Sequence, residues 1–121
     1  MIERLRALPG FEALDDEVLA RIVARAPLRT VAPGQVVLAA GGVAETLFAC
    51  IEGGLVSADG TTLPPVYDAP GLLFGLAAPR DGLAGPAGAT LLAVAKPHVF
   101  TIAREFPEFV VSLMHRNGMP R

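Results

Sequence analysis

Glycine- and proline-centred breaks recur through the middle of this chain. Pro33-Gly34, Gly41-Gly42, Gly53-Gly54, Asp59-Gly60 and Pro70-Gly71 divide the stretch from Leu28 to Val94 at intervals of roughly six to twelve residues. The pieces between them are short and apolar. They predict strands near 28–32, 35–39, 46–52, 54–58, 61–67 and 90–95. Pro33-Gly34 reads as a turn before Gln35-Val36-Val37-Leu38, and Asp59-Gly60 is a strong hairpin signal. So many short paired strands favour a closed or sandwiched all-β body, because closure removes exposed edges.

The flanks follow a helical period. Ile2, Leu5 and Leu8 share a face of a short segment over 2–8, ended by Pro9-Gly10. Asp15 caps a second helix over 15–26, with Asp16 and Glu17 in its first turn and Arg21 and Arg25 in its later turns. Val18, Leu19, Ile22 and Val23 form its buried stripe, and Leu14 is placed to pack on Leu19 as a staple. Pro27 marks the exit. Beyond the β region, Pro97 opens a helix over 97–105, since proline in a first turn loses no hydrogen bond. A last helix over 107–116 carries Phe109, Val110, Leu113 and Met114, with Gly118 and Pro120 stopping it. The expected fold is mainly β with flanking helices: one domain over 1–121, an antiparallel jelly roll or barrel between two N-terminal and two C-terminal helices.

Composition narrows the functional classes. Charged residues make up 18% of the 121 residues and apolar residues 52%, against about 25% charged in an average soluble domain. This composition argues against disorder, and some apolar surface is expected to be covered by a partner. The net charge of -2, with no basic stripe at either end, argues against nucleic acid. The start is charged and amphipathic, with no signal-peptide core, and no apolar run is long enough to span a membrane. Cys50 has no second cysteine to pair with, which fits a reducing compartment. A cytoplasmic location is expected.

Catalytic constellations are absent. His98 and His115 stand far apart and far from Cys50, so neither a metal site nor a nucleophile with its base is expected. A metal-dependent barrel enzyme of the cupin type needs clustered histidines on its strands, and 28–95 holds none. Asp15, Asp16 and Glu17 suit a helix start, and Cys50 reads as a small buried hydrophobe. No phosphate-loop lysine or dinucleotide fingerprint is present. The reading is not an enzyme, with no cofactor and no metal.

An ordered series of short signatures nevertheless spans most of the chain. It comprises Phe11 and Leu14, then Pro33-Gly34-Gln35-Val36-Val37, then Gly41, then Leu47-Phe48-Ala49-Cys50-Ile51-Glu52-Gly53. It continues through Pro70-Gly71, Phe74-Gly75, Ala89-Thr90 and Phe106-Pro107. In this order the series, over about 8–114, resembles the cyclic-nucleotide-binding domains of catabolite-activator-like regulators and cyclic-nucleotide-gated proteins.

The resemblance implies a phosphate-binding cassette: Phe-Gly-Glu, an Ala-Leu pair, then an Arg shortly before Ala-Thr. Backbone N–H groups of a short helical turn meet the cyclic phosphate, the Arg pairs with it, and the Glu accepts from the ribose hydroxyl. Here Phe74 and Gly75 match, but Leu76 stands at the Glu position and Ala87 at the Arg position. The cassette so placed comprises Phe74, Gly75, Leu76, Ala77, Ala78, Ala87, Gly88, Ala89 and Thr90. Losing a partly buried Arg–phosphate pair costs on the order of 2–5 kcal/mol, about two to three orders of magnitude in affinity or more. Arg80, in the loop after Gly75, is the one candidate replacement; solvent exposure or a pair with Asp81 or Asp68 is its alternative.

Activator-like proteins continue through a dimerisation helix into a DNA-binding unit. The chain to Arg121 has no room for one, so no DNA contact is expected. The expected function is a regulatory or interaction module with lost or much weakened cAMP and cGMP binding. Its partner would be a second copy or another protein, met through Phe109, Val110, Leu113 and Met114. The alternative is a sensor of a small molecule or modified nucleotide in the residual pocket.

Overall fold

The computed structural model describes residues 1–116. The chain opens with α1 (Ile2–Arg6), a 3-10 turn (Phe11–Ala13) and α2 (Asp16–Arg25). Asp15 caps α2 as its position predicts, its carboxylate accepting from the Val18 N–H at 3.0 Å. Val18, Leu19 and Ile22 are buried, and Leu14 joins the same core as Leu19.

Five strands follow in one antiparallel sheet: β1 (Leu28–Val31), β2 (Val36–Leu38), β3 (Thr46–Val56), β4 (Val66–Tyr67) and β5 (Gly82–Ala95). The order is β1-β5-β3-β4, with β2 also paired to β5, so the sheet does not close into a barrel. Its spine is the β3–β5 ladder, running from Thr46 opposite Ala95 to Val56 opposite Leu83. Strict alternation gives the spine two buried faces. Leu47, Ala49, Leu92 and Val94 join the core shared with the helices, whereas Phe48, Cys50, Leu91 and Ala93 line a second core inside the roll.

Three local expectations are corrected. Gly53-Gly54 does not separate two strands; it bends one. The register shifts between Cys50 and Glu52 and again between Gly53 and Leu55, and Gly53 at φ 76° absorbs the irregularity as a bulge. The strand over 61–67 shrinks to β4 and a single bridge from Thr62 to Val56, because Pro64-Pro65 removes two ladder donors. The turn at Asp59-Gly60 does form, with Ser57 N–H donating to the Thr61 carbonyl at 2.9 Å. Finally, a helix interrupts the β region: α3 (Ala69–Phe74), where Pro70-Gly71 had read as a turn. Proline is tolerated in a first helical turn.

β5 runs directly into α4 (Lys96–Glu105), and α5 (Pro107–Arg116) follows. Gly118 and Pro120, read as stops, lie outside the described residues. α5 docks on the N-terminal segment. Phe109 meets Phe11 edge-on, with ring centroids 5.3 Å apart, and Gly10 lies so close that a Cβ there would sit 3.1 Å from Phe109 and Leu113.

Candidate functional site

The cassette residues fall into three places. Phe74 and Gly75 close α3, and Gly75 takes the left-handed conformation (φ 66°, ψ 32°) of a helix C-terminus. The helical turn therefore precedes the glycine here. The Gly75 and Leu76 N–H groups both donate to the Gly71 carbonyl, the latter at 3.1 Å. The chain then runs beside 41–43, where Ala77 bridges Val43, the Ala78 N–H donates to the Gly42 carbonyl at 2.8 Å and the Gly41 N–H donates back to Ala78 at 2.8 Å. Three of the amides over 75–78 are thus committed within the chain. Phe74 and Leu76 point outward, 65% and 54% exposed, while Ala78 is buried.

Ala87, Gly88, Ala89 and Thr90 lie on β5, against a cleft of about 570 Å³. Its other walls come from Arg4, residues 30–33 and residues 51–53, none from 74–78. Arg4 is ion-paired with Glu52 across its rim. The backbones here almost touch: a Cβ on Gly53 would lie 2.1 Å from the Gly88 carbonyl oxygen.

Arg80 is exposed and faces the hairpin tip, sharing a shallow pocket with Ser57, Ala58 and Asp59. The Asp59 carboxyl is held well below the usual range by hydrogen bonds from Ser57 and Thr61, with Arg80 adding a smaller attraction. Asp81 is engaged elsewhere, accepting from the Ala40 N–H at 2.7 Å.

Inside the roll, apolar side chains occupy the space. Phe48, Leu55, Tyr67 and Leu91 pack together, with Val37, Leu38 and Leu63 against them. Gly82 is there because the Tyr67 ring is; a Cβ would come 2.6 Å from it. Burial pushes the Tyr67 phenol up, and Asp68 adds to that shift. Burial also raises the Asp68 carboxyl, opposed by the Gly71 N–H.

The expected partner face is corrected in part. Phe109 and Leu113 are fully buried in the chain's own core, Val110 and Met114 are half-buried, and Val111, 58% exposed, is the apolar residue that α5 presents outward. Cys50 is buried, its thiol pushed up by desolvation, and its Sγ lies 3.2 Å from the Glu52 carbonyl oxygen. Among the described residues no group of His, Cys, Asp and Glu is arranged to hold a metal, and no helix is long and apolar enough to cross a membrane. One feature had no signal in any single motif: a groove between α2 and α4 that brings Arg21 and Arg25 to His98. The four-residue spacing of the arginines was visible; the histidine's approach is tertiary.

No family profile and no curated protein matches the sequence. Solved structures do match. The N-terminal domain of a transcriptional regulator from Streptomyces coelicolor is 26% identical, with a TM-score of 0.68 over 92% of this chain and 85% of that one. The sensor domain of the transcriptional regulator DNR from Pseudomonas aeruginosa is 13% identical, with a TM-score of 0.71 over 96% and 89%. The catabolite activator protein of Thermus thermophilus is 18% identical, with a TM-score of 0.69 over 87% of this chain and 54% of that one. The regulatory domain of Toxoplasma gondii PKA, solved with cAMP, is 15% identical at a TM-score of 0.68, over 84% of this chain and 42% of that one. With its open antiparallel sheet and flanking helices, the chain has the fold of these domains.

Proposed function

We propose that the chain is a non-enzymatic regulatory or interaction module in which recognition of cAMP and cGMP is lost or much weakened. The observation that carries this reading is the state of the amides after α3. Gly75, Leu76 and Ala78 donate to Gly71 and Gly42, whereas a cyclic phosphate needs N–H groups turned toward it. The side chains agree. Leu76 and Ala87 bring neither carboxylate nor guanidinium, and Arg80 faces Asp59 at the hairpin tip. The roll interior is packed with Phe48, Tyr67 and Leu91. A module of this kind acts through another protein, either a second copy or a different chain, and its mass in solution distinguishes the two.

The test is a titration of the isotopically labelled chain with cAMP and cGMP, read at the backbone amides. No shift at millimolar nucleotide is expected. Saturable micromolar shifts centred on Gly75, Leu76, Ala77 and residues 87–88 would overturn the reading, and Arg80→Ala would then ask whether that residue replaced the missing arginine. One observation favours the sensor alternative: the cleft beside residues 87–90, at about 570 Å³, lies in the volume range of small-ligand sites. Saturable shifts at Thr30, Gly53 and Gly88 with a modified nucleotide would establish that role instead.

A further inference from the structure

The groove between α2 and α4 is separate from every cassette residue. It has a volume of about 290 Å³, with Val18, Ile22 and Ile102 on its apolar wall and Arg21, Arg25 and His98 on its polar one. Arg21 and Arg25 are one helical turn apart and so share a face of α2. His98 lies in the first turn of α4 and is half-buried. Its imidazolium is disfavoured chiefly by burial, then by the charges of Arg25 and Arg21, which line the same groove.

Positive groups gathered in a groove repel one another, and a bound anion relieves that repulsion. The ion pairs of the described residues join Arg4 to Glu52 and Arg6 to Asp16, and neither involves Arg21 or Arg25. Two other charges on α4 bear on the groove. Glu105 lines it, but lies about 10 Å along the helix from His98 at the helical rise per residue. The Lys96 ammonium lies over the Phe100 ring, 5.9 Å from its centroid. Glu17 stands one turn before Arg21 on α2, and neither it nor Glu105 forms an ion pair with Arg21 or Arg25 among the described residues.

We propose that this groove binds a small organic phosphate: a phosphate monoester held by Arg21, Arg25 and His98, with a compact apolar group against Val18, Ile22 and Ile102. Two forked guanidiniums match the oxygens of a phosphate, and a dianion matches the charge that gathers there. The volume lies near the lower end for small-ligand cavities, about 300 Å³, which limits the apolar group to roughly the size of one ring. Binding also favours the imidazolium, so the complex takes up a proton at His98.

The test is a titration of the labelled chain with phenyl phosphate, read at the His98 ring and the Arg21 and Arg25 side-chain N–H groups. Saturable shifts and a rise in the His98 pKa on binding are expected. Arg25→Ala and Arg21→Ala should each weaken binding about tenfold or more, the loss of a charge-assisted contact, while exposed Arg104→Ala should leave it unchanged. Linear shifts to tens of millimolar, or equal binding by the double variant Arg21→Ala/Arg25→Ala with its spectrum otherwise intact, would overturn the site. Inorganic phosphate binding as tightly as phenyl phosphate would overturn the apolar half of the proposal, and benzyl alcohol binding equally well would overturn the anionic half.

Discussion

Replacing Gly53 by alanine should be among the most damaging single-methyl changes this chain can undergo. Two effects combine. Gly53 sits at φ 76°, where a side chain costs about 1–2 kcal/mol. The added Cβ would also lie 2.1 Å from the Gly88 carbonyl oxygen and 3.0 Å from the Ala89 Cα, both backbone atoms in the central ladder. Relieving that overlap means moving β5 away from β3, and overpacking of this kind costs about 1–3 kcal/mol more. The expected loss is therefore about 2–5 kcal/mol. Gly54 is the matched control: a Cβ there has no neighbour within 4 Å, and alanine in a strand is favoured over glycine by roughly 0.5–1 kcal/mol. Gly75→Ala separates the two effects, because its φ of 66° is strained but its surroundings are open; about 1–2 kcal/mol should be lost. Urea unfolding followed by far-ultraviolet circular dichroism measures all three. At a slope of about 2 kcal/mol per molar, Gly53→Ala should lower the midpoint by about 1–2.5 M and Gly54→Ala should leave it or raise it slightly. Equal midpoints for Gly53→Ala and Gly54→Ala would refute the bulge argument.

Two further predictions concern the helices. Phe109→Ala should destabilise the chain by about 3–5 kcal/mol, since it empties a fully buried site against Phe11, whereas Val111→Ser on the exposed side of α5 should change stability by less than about 0.5 kcal/mol; the same unfolding curves decide it. Because the folded chain holds the His98 pKa below 6.5, the unfolded chain binds the proton first. Stability should then be full above pH 6.5 and fall as pH drops from there through the folded value. A His98→Gln variant whose pH profile over that interval overlays the parent's would exclude this residue as the cause.

The elements set by local chemistry were legible in the sequence: the Asp15 cap, the Asp59-Gly60 turn and the helices opened by Pro97 and Pro107 each depend on a few neighbouring residues. What escaped depends on distant ones. Gly53-Gly54 has the composition of a turn, and only Gly88, folded against it, makes it a bulge in an unbroken strand. Pro70-Gly71 likewise has turn chemistry; it opens a helix whose glycine fits against the Asp68 carboxylate, a Cβ there falling 2.2 Å from Oδ2. At the cassette, the substitutions at Leu76 and Ala87 could be read directly. That residues 74–78 and 87–90 face different surroundings could not, because β5 extends back to Gly82 and carries 87–90 along the β1 side. Phe109 and Leu113 have the spacing of an amphipathic face, and spacing does not distinguish a face turned to the chain's own core from one turned to a partner.

The two cores of this domain are separated by a single sheet. Phe48 and Leu91 face the roll, and their covalent neighbours Leu47 and Leu92 face the helices. No cushioning layer lies between, and the strands that form the wall are continuous through it. The spine is therefore a stiff diaphragm: a side chain pushed on one face tilts a backbone whose next residue is packed on the other. Whatever comes to press on the roll, the helical side is one peptide bond away.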